Sequence, residues 1–121
     1  MKVENIKFKA KSILDGAWVQ GDLVHKEDGA ICILRNGFNV SEVDPSTVCQ
    51  FTGLKDCEGN EIWEGDIISS PHFERVATVK WDDSLCGFKC SDVTGNINFS
   101  FTAIAHCSEW SIVGNEFDKK K

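Results

Sequence analysis

Basic residues are in short supply in this 121-residue chain: 13 Lys and Arg stand against 19 Asp and Glu, a formal net charge of -6. Three of the thirteen are Lys119, Lys120 and Lys121, so the body without them carries 10 against 19, or -9. A general nucleic-acid binder shows a basic face, and this balance argues against one. Long apolar runs are also missing. None approaches the ~18 residues that a membrane-spanning helix needs, and Met1-Lys2-Val3-Glu4-Asn5 leads straight into a strand-like segment without an apolar signal region. The expectation is a cytoplasmic protein with reduced thiols and no membrane partner. Proline occurs only twice, and 41% hydrophobic with 26% charged residues describes a globular rather than a disordered chain. A chain of this length buries roughly two-thirds of its unfolded surface. Neither metal nor disulfides are then needed to hold one domain or two small subdomains together.

The constellations of catalysis are absent too. His25, His72 and His106 lie far apart, and none sits in a nucleophile motif. Adjacent Asp82 and Asp83 point to opposite faces of a strand, and no glycine loop is built for phosphate. No catalytic residue and no cofactor is expected. Six cysteines, at 32, 49, 57, 86, 90 and 107, raise the question of zinc, whose ligands come in close pairs. The only close pairs are Cys86 with Cys90 and His106 with Cys107. Cys32 and Cys90 stand among apolar or alternating residues, where free cysteine packs as a small hydrophobe. The expectation is packing, with no metal site.

What is present is a hydrophobic period of two. Ile6, Phe8 and Ala10 alternate with Lys7, Lys9 and Lys11, the pattern of a half-buried strand. Asp15-Gly16 separates Ser12-Ile13-Leu14 from Ala17-Trp18-Val19 as a hairpin turn, and Glu27-Asp28-Gly29 and Asn36-Gly37 mark two more. Asp44-Pro45 breaks any helix nearby, leaving at most one helical turn from Ser46. Val48-Cys49-Gln50-Phe51 predicts a short strand ending at Gly53, followed by a polar loop with a Gly59-Asn60 turn. Further strands are predicted at 66–69, 75–81, 87–90, 96–101 and 110–113, with a loop at Ser70-Pro71, a turn at Thr94-Gly95-Asn96 and a bend or single helical turn at 103–105. A 3.6-residue period is sustained nowhere. The prediction is an all-β chain with little or no helix.

The stretch 48–69 carries the longest motif. Val48-Cys49-Gln50-Phe51-Thr52-Gly53-Leu54-Lys55-Asp56, then Gly59-Asn60-Glu61-Ile62-Trp63-Glu64-Gly65-Asp66-Ile67-Ile68, resembles the signature of the YopX family of phage and prophage proteins. Ile6-Lys7-Phe8-Lys9-Ala10 resembles that family's opening strand, Val43-Asp44-Pro45-Ser46-Thr47-Val48 its approach to the signature, and Trp110-Ser111-Ile112-Val113-Gly114-Asn115 its closing segment. Cys49 departs from the small residue common there, and Gly59-Asn60 inverts the usual order. The resemblance implies a mobile-element origin, a bacterial host cell, a β-rich fold and self-assembly. It implies no catalytic residues.

Each part of the signature has a structural explanation. Gly53 and Gly65 suit positive φ, Asp56 and Asn60 suit turn caps, and Thr52 or Asp56 suits bonds to nearby amides. Ile62, Ile67 and Ile68 read as core, and Phe51 and Trp63 as large buried surfaces. The functional explanation is acidity: residues 55–66 hold Asp56, Glu58, Glu61, Glu64 and Asp66 against Lys55, a net of -4. That run lacks the ligand spacing of an EF-hand. Glu64-Gly65-Asp66-Ile67-Ile68 followed by Val76-Ala77-Thr78-Val79-Lys80-Trp81 resembles the opening of SH3-like barrels. Trp63, Trp81 and Phe88 fall on alternating apolar faces, so core packing is expected. Exposed instead, they would form a platform for bases.

The expected organisation is an N-terminal antiparallel meander over 1–47 packed on a C-terminal SH3-like small barrel over 62–115, with a signature loop and hinge at 48–68 and a charged tail at 116–121. The structural signature is Phe51, Gly53, Asp56 and Gly65. The candidate interaction residues are Trp63, Glu64, Asp66, Trp81 and Phe88. The expected function is that of a non-enzymatic accessory protein acting through protein partners or as a homo-oligomer. Two alternatives are single-stranded nucleic-acid binding by the C-terminal barrel, which the acidity disfavours, and an acidic mimic of DNA that blocks a host protein.

Overall fold

A computed structural model describes residues 2–70, 73–92, 98–100 and 110–118. Among them the chain is all-β: strands fall into two antiparallel sheets, and the only helical segments are single 3₁₀ turns at Val3–Asn5, Pro45–Thr47 and Glu116–Asp118. The chain divides into two compact units, Met1–Phe51 and Thr52–Lys121.

The first unit contains β1 (Phe8–Lys11), β2 (Trp18–His25), β3 (Ile31–Arg35), β4 (Asn39–Glu42) and the start of β5 (Cys49–Lys55), in the order β4-β3-β2-β1-β5. Its turns lie where Asp and Gly predict them. Gly16, Gly29 and Gly37 have φ of 72°, 91° and 82°, and the carboxylates of Asp15 and Asp28 each accept the amide two residues on, from Ala17 and Ala30, at 3.0 Å. The sheet curls so that the end of β1 meets the chain that follows β4. Ser12 bridges Val43, the Asp44 amide donates to the Lys11 carbonyl at 2.9 Å, and the Lys11 amide donates to Thr47 Oγ1 at 2.9 Å. Alternation sends Ala10, Ile33 and Val43 into the interior, with Phe8, Val19, Leu23, Ile31 and Val48 packed around them. Each fully buried Val or Ile contributes roughly 1.5–3 kcal/mol.

The second unit contains the rest of β5, which pairs with β6 (Glu61–Trp63), and a five-stranded sheet. That sheet is built from β7 (Asp66–Ser70), β8 (Phe73–Asp82), β9 (Gly87–Asp92), β10 (Asn98–Ser100) and β11 (Ser111–Asn115), in the order β10-β9-β8-β7-β11. Its core joins Ile62, Ile68, Ala77, Val79, Cys90 and Trp110.

Several expectations are corrected. Ser12-Ile13-Leu14 does not extend a strand: Ile13 and Leu14 lie in the turn, 53% and 92% exposed, because the three-residue stretch is bent by its own Ser12 side chain, which accepts the Leu14 amide. β5 does not stop at Gly53 but passes through it to Lys55, the glycine absorbing the irregularity at φ 88°. Ser70 belongs to β7, paired with Phe73, rather than to a loop. Ile67 is half-buried while Ile62 and Ile68 are core, since neighbours on a strand face opposite ways. Asn39–Glu42, assigned no element from sequence, is a strand. Pro71 and His72, the turn at 94–96, the bend at 103–105, His106, Cys107 and the last three lysines lie outside the described residues. Among the described residues no helix is long and apolar enough to cross a membrane.

Candidate functional site

The signature loop is organised by its aspartates. Asp56 ends the β5 side of the loop and is buried. One of its carboxylate oxygens, Oδ1, accepts the amides of Glu58 at 2.9 Å and Asn60 at 2.8 Å. The other, Oδ2, accepts the Ile112 amide at 3.1 Å and Asn60 Nδ2 at 3.4 Å. Gly59 takes φ 88°, which lets Asn60 turn its amide back onto Asp56. The order Gly59-Asn60 is therefore the one this loop needs. Burial by itself raises the Asp56 pKa, but the bonds from Asn60, Ile112 and Glu58 outweigh it and hold the carboxyl below its ordinary value.

Ten residues on, Asp66 opens β7 and is also buried. Its Oδ2 accepts the Trp63 amide at 2.7 Å, and its Oδ1 accepts Asn115 Nδ2 at 3.0 Å. Asn115 in turn accepts the Phe117 amide at 2.8 Å through its own Oδ1. Between the two aspartates, Gly65 stands at φ 89°. Its amide donates to the Val79 carbonyl at 2.7 Å, and its carbonyl accepts the Glu116 amide at 2.9 Å. A Cβ there would lie 3.1 Å from the Phe117 ring. The Cys57 amide donates to the Trp110 carbonyl at 2.9 Å. The signature and the closing segment are thus parts of one hydrogen-bonded unit. Thr52 joins it locally, donating to the Ile62 carbonyl at 2.6 Å and accepting the Leu54 amide at 3.2 Å.

This geometry changes what the acidity of 55–66 means. The oxygens of Asp56 and Asp66 face N–H donors, whose partial positive charge favours the carboxylate and disfavours a cation beside it. Among the described residues no group of three or more His, Cys, Asp or Glu is placed to hold a metal ion. The Cys86 and Cys90 pair is split: Cys86 is exposed in a turn, while Cys90 is buried in the core and burial pushes its thiol up to about 12. Cys32 and Cys49 are buried as well, and Cys57 is exposed.

The interaction candidates come together in pairs, Trp81 with Phe88 and Trp63 with Asp66. Trp63 is buried beside Ile62, whereas Trp81 is 43% exposed, so the expectation that it packs in the core is corrected. The cause is a local partner: Trp81 Nε1 donates to Asp83 at 2.7 Å, which holds the indole at the rim of β8. Phe88, paired opposite Trp81 on β9, meets it edge to face with ring centroids 5.3 Å apart. Asp82 is occupied separately, capping the turn through Ser84 and Leu85 and pairing with Lys89 Nζ at 3.1 Å. The Ser84 and Lys89 side chains lower its pKa to about 2. Glu64 is half-buried in the tight turn between β6 and β7, and Phe51 is buried at the end of the first unit, with Lys7 Nζ 4.8 Å above its ring.

Sequence reasoning missed Asn115, read only as the end of a strand, and Trp110 as a core residue. The available signal was the closing segment itself, whose resemblance accompanies that of the signature. Also missed was Trp18, with Lys9 and Lys11 at 4.7 and 5.4 Å from its ring, although the strand alternation places those lysines on one face.

A comparison with curated proteins finds no match. A family model described as YopX protein matches residues 3–120. That span takes in the opening strand, the aspartate-bound signature and the closing segment to which it is bonded. The chain belongs to the YopX family.

Proposed function

We propose that this protein is a phage- or prophage-encoded accessory protein that works in the host cytoplasm without catalysis, through contacts with other proteins and with its own copies. The observation that carries this reading is the β8–β9 hairpin. It presents Trp81 and Leu85, 43% and 61% exposed, while the neighbouring carboxylates are held by Trp81, Ser84 and Lys89. Tryptophan dominates protein contact surfaces because it supplies a large rigid area with one polar handle. The signature supports the same reading, because its buried acids serve as hydrogen-bond acceptors within the fold. The N-terminal strands read as a meander. The order β11-β7-β8-β9-β10, with the last strand returning beside the first, supports an SH3-like reading of the C-terminal unit, a fold that does not by itself fix a function. Binding of single-stranded nucleic acid is the less favoured reading, since buried Trp63 cannot complete a stacking platform with Trp81 and Phe88.

Sedimentation of the purified chain over a concentration series, with recovery of bound proteins from infected host cells, tests the proposal. The expected result is an oligomer, together with a stoichiometric partner that Trp81→Ser releases. A monomer at every concentration that recovers nothing sinks it.

A further inference from the structure

Among the described residues β11 ends the second sheet, with β7 on one side only. Ser111–Asn115 carries no charge and no proline, and Val113 is 58% exposed. A bare edge of this composition is a template for strand pairing. The charge of the unit lies elsewhere. Thr52–Lys121 holds 7 Lys and Arg against 12 Asp and Glu, a net of -5, where Met1–Phe51 holds 6 against 7, a net of -1. None of those twelve acids stands on β11.

In an antiparallel ladder the backbone groups of alternate residues face the neighbour and face away. The Trp110 carbonyl and the Ile112 amide share the side turned away from β7, and both are taken by the signature loop. The Cys57 amide donates to the Trp110 carbonyl at 2.9 Å, and the Ile112 amide donates to Asp56 Oδ2 at 3.1 Å. The two bonds run in opposite chain directions, as those of an antiparallel partner do. Continued as a strand, such a partner would bring the carbonyl of residue 55 to the Ile112 amide. Lys55 ends β5, and the carboxylate of Asp56 takes that place. Further along, a register shift between Ile112 and Gly114 interrupts the strand, a second device that blunts an edge.

We propose that the Asp56 loop is a guard seated on the edge of the second sheet, and that withdrawing its carboxylate opens β11 to β11 of a second copy. The choice of occupant follows from the other edge. The outer side of β4 is met by its own chain, where the Ile13 amide donates to the Glu42 carbonyl. A substitution that uncovers one β11 uncovers it in every copy, and a twofold axis then pairs like with like. The guard keeps the acidic unit from joining edge to edge and leaves the β8–β9 hairpin as its contact surface. It stands apart from self-association of the parent chain, because it is read as a change from the parent's size.

Asp56→Asn withdraws the carboxylate with the least disturbance. Its remaining oxygen accepts the Glu58 and Asn60 amides and keeps the turn, while the new NH2 group meets the Ile112 N–H, donor against donor. Hydrogen exchange at the Ile112 amide and sedimentation of the full chain test the guard, with Val79→Ala as a core variant that leaves the carboxylate in place. In the parent, the Ile112 amide is expected to be protected although it lies on the outer side of an edge strand. Asp56→Asn speeds its exchange by roughly tenfold or more and forms species larger than the parent as concentration rises. Val113→Lys, added to Asp56→Asn, restores the parent's size, as lysine does on natural edges. A parent Ile112 amide that exchanges freely overturns the proposal by itself. Unchanged exchange in Asp56→Asn, or the parent's size at every concentration, overturns it as well. Growth that Val79→Ala shares, or that Val113→Lys does not reverse, assigns the effect to general loss of stability and overturns it too.

Discussion

In Met1–Phe51 the end of β1 meets the chain that follows β4 largely backbone to backbone, Ser12 against Val43 and Asp44 against Lys11. In Thr52–Lys121 the backbone bonds between the signature and the closing segment, Cys57 to Trp110 and Glu116 to Gly65, are joined by buried side-chain acceptors, Asp56 for Ile112 and Asp66 for Asn115. The surfaces differ in parallel. Of the nine large apolar side chains exposed among the described residues, six belong to the first unit, which is nearly neutral, and three to the second, which is acidic. The same chain thus divides its tasks. One unit combines a generic β core with an apolar surface, and the other uses specific buried carboxylates and keeps its net charge high. The contrast fits the larger part of the signature, Thr52 onward, falling in the second unit: backbone closure tolerates many side chains, whereas a buried carboxylate with fixed donors tolerates few.

The comparison can be broken most directly at Asp66. Asp66→Ala leaves the Trp63 amide and Asn115 Nδ2 without their acceptor in a buried site, and the expected loss is about 3 kcal/mol, read from urea unfolding. A loss below about 1 kcal/mol would mean that the carboxylate does not hold this unit together.

Asp56 sharpens the comparison through pH. Its folded pKa lies below the ordinary value of 3.8, so its stabilising contribution is complete above that value and fades as pH falls through the folded one. Asp56→Ala is expected to cost about 2 kcal/mol at pH 7, and the gap between variant and parent is expected to close as the pH falls below about 4. A gap that is constant from pH 7 to pH 2 would assign the effect to packing instead.

Glu58 sets the lower limit. It shares the loop and its charge but is exposed, so Glu58→Gln is expected to change stability by less than about 0.5 kcal/mol. A larger change would show that the loop acids act through their summed charge rather than through two particular hydrogen-bond sites.

Much of the fold was legible because its signals are local. Alternation along Ile6 to Lys11 marked β1, and Asp15-Gly16, Glu27-Asp28-Gly29 and Asn36-Gly37 marked the hairpins, since a turn depends on the residues within it. β4 escaped notice because Asn39-Val40-Ser41-Glu42 has only one strong strand former, and its pairing with β3 rests on the partner strand. Trp81 was misplaced because period-two alternation cannot tell a buried row from one whose last residue sits at a rim.

The sequence by itself determined that this is a β protein of the YopX family, acidic in net charge, with a loop punctuated by glycine and aspartate. Those properties follow from composition, from periodicity and from motifs contained in short windows. Only the tertiary structure decided which acids face solvent and which are buried acceptors, because Asp56 and Ile112 are 56 residues apart and Asp66 and Asn115 are 49 apart. No local pattern encodes a hydrogen bond across that separation; it exists only once β11 has returned beside β7 and carried its donors to the signature.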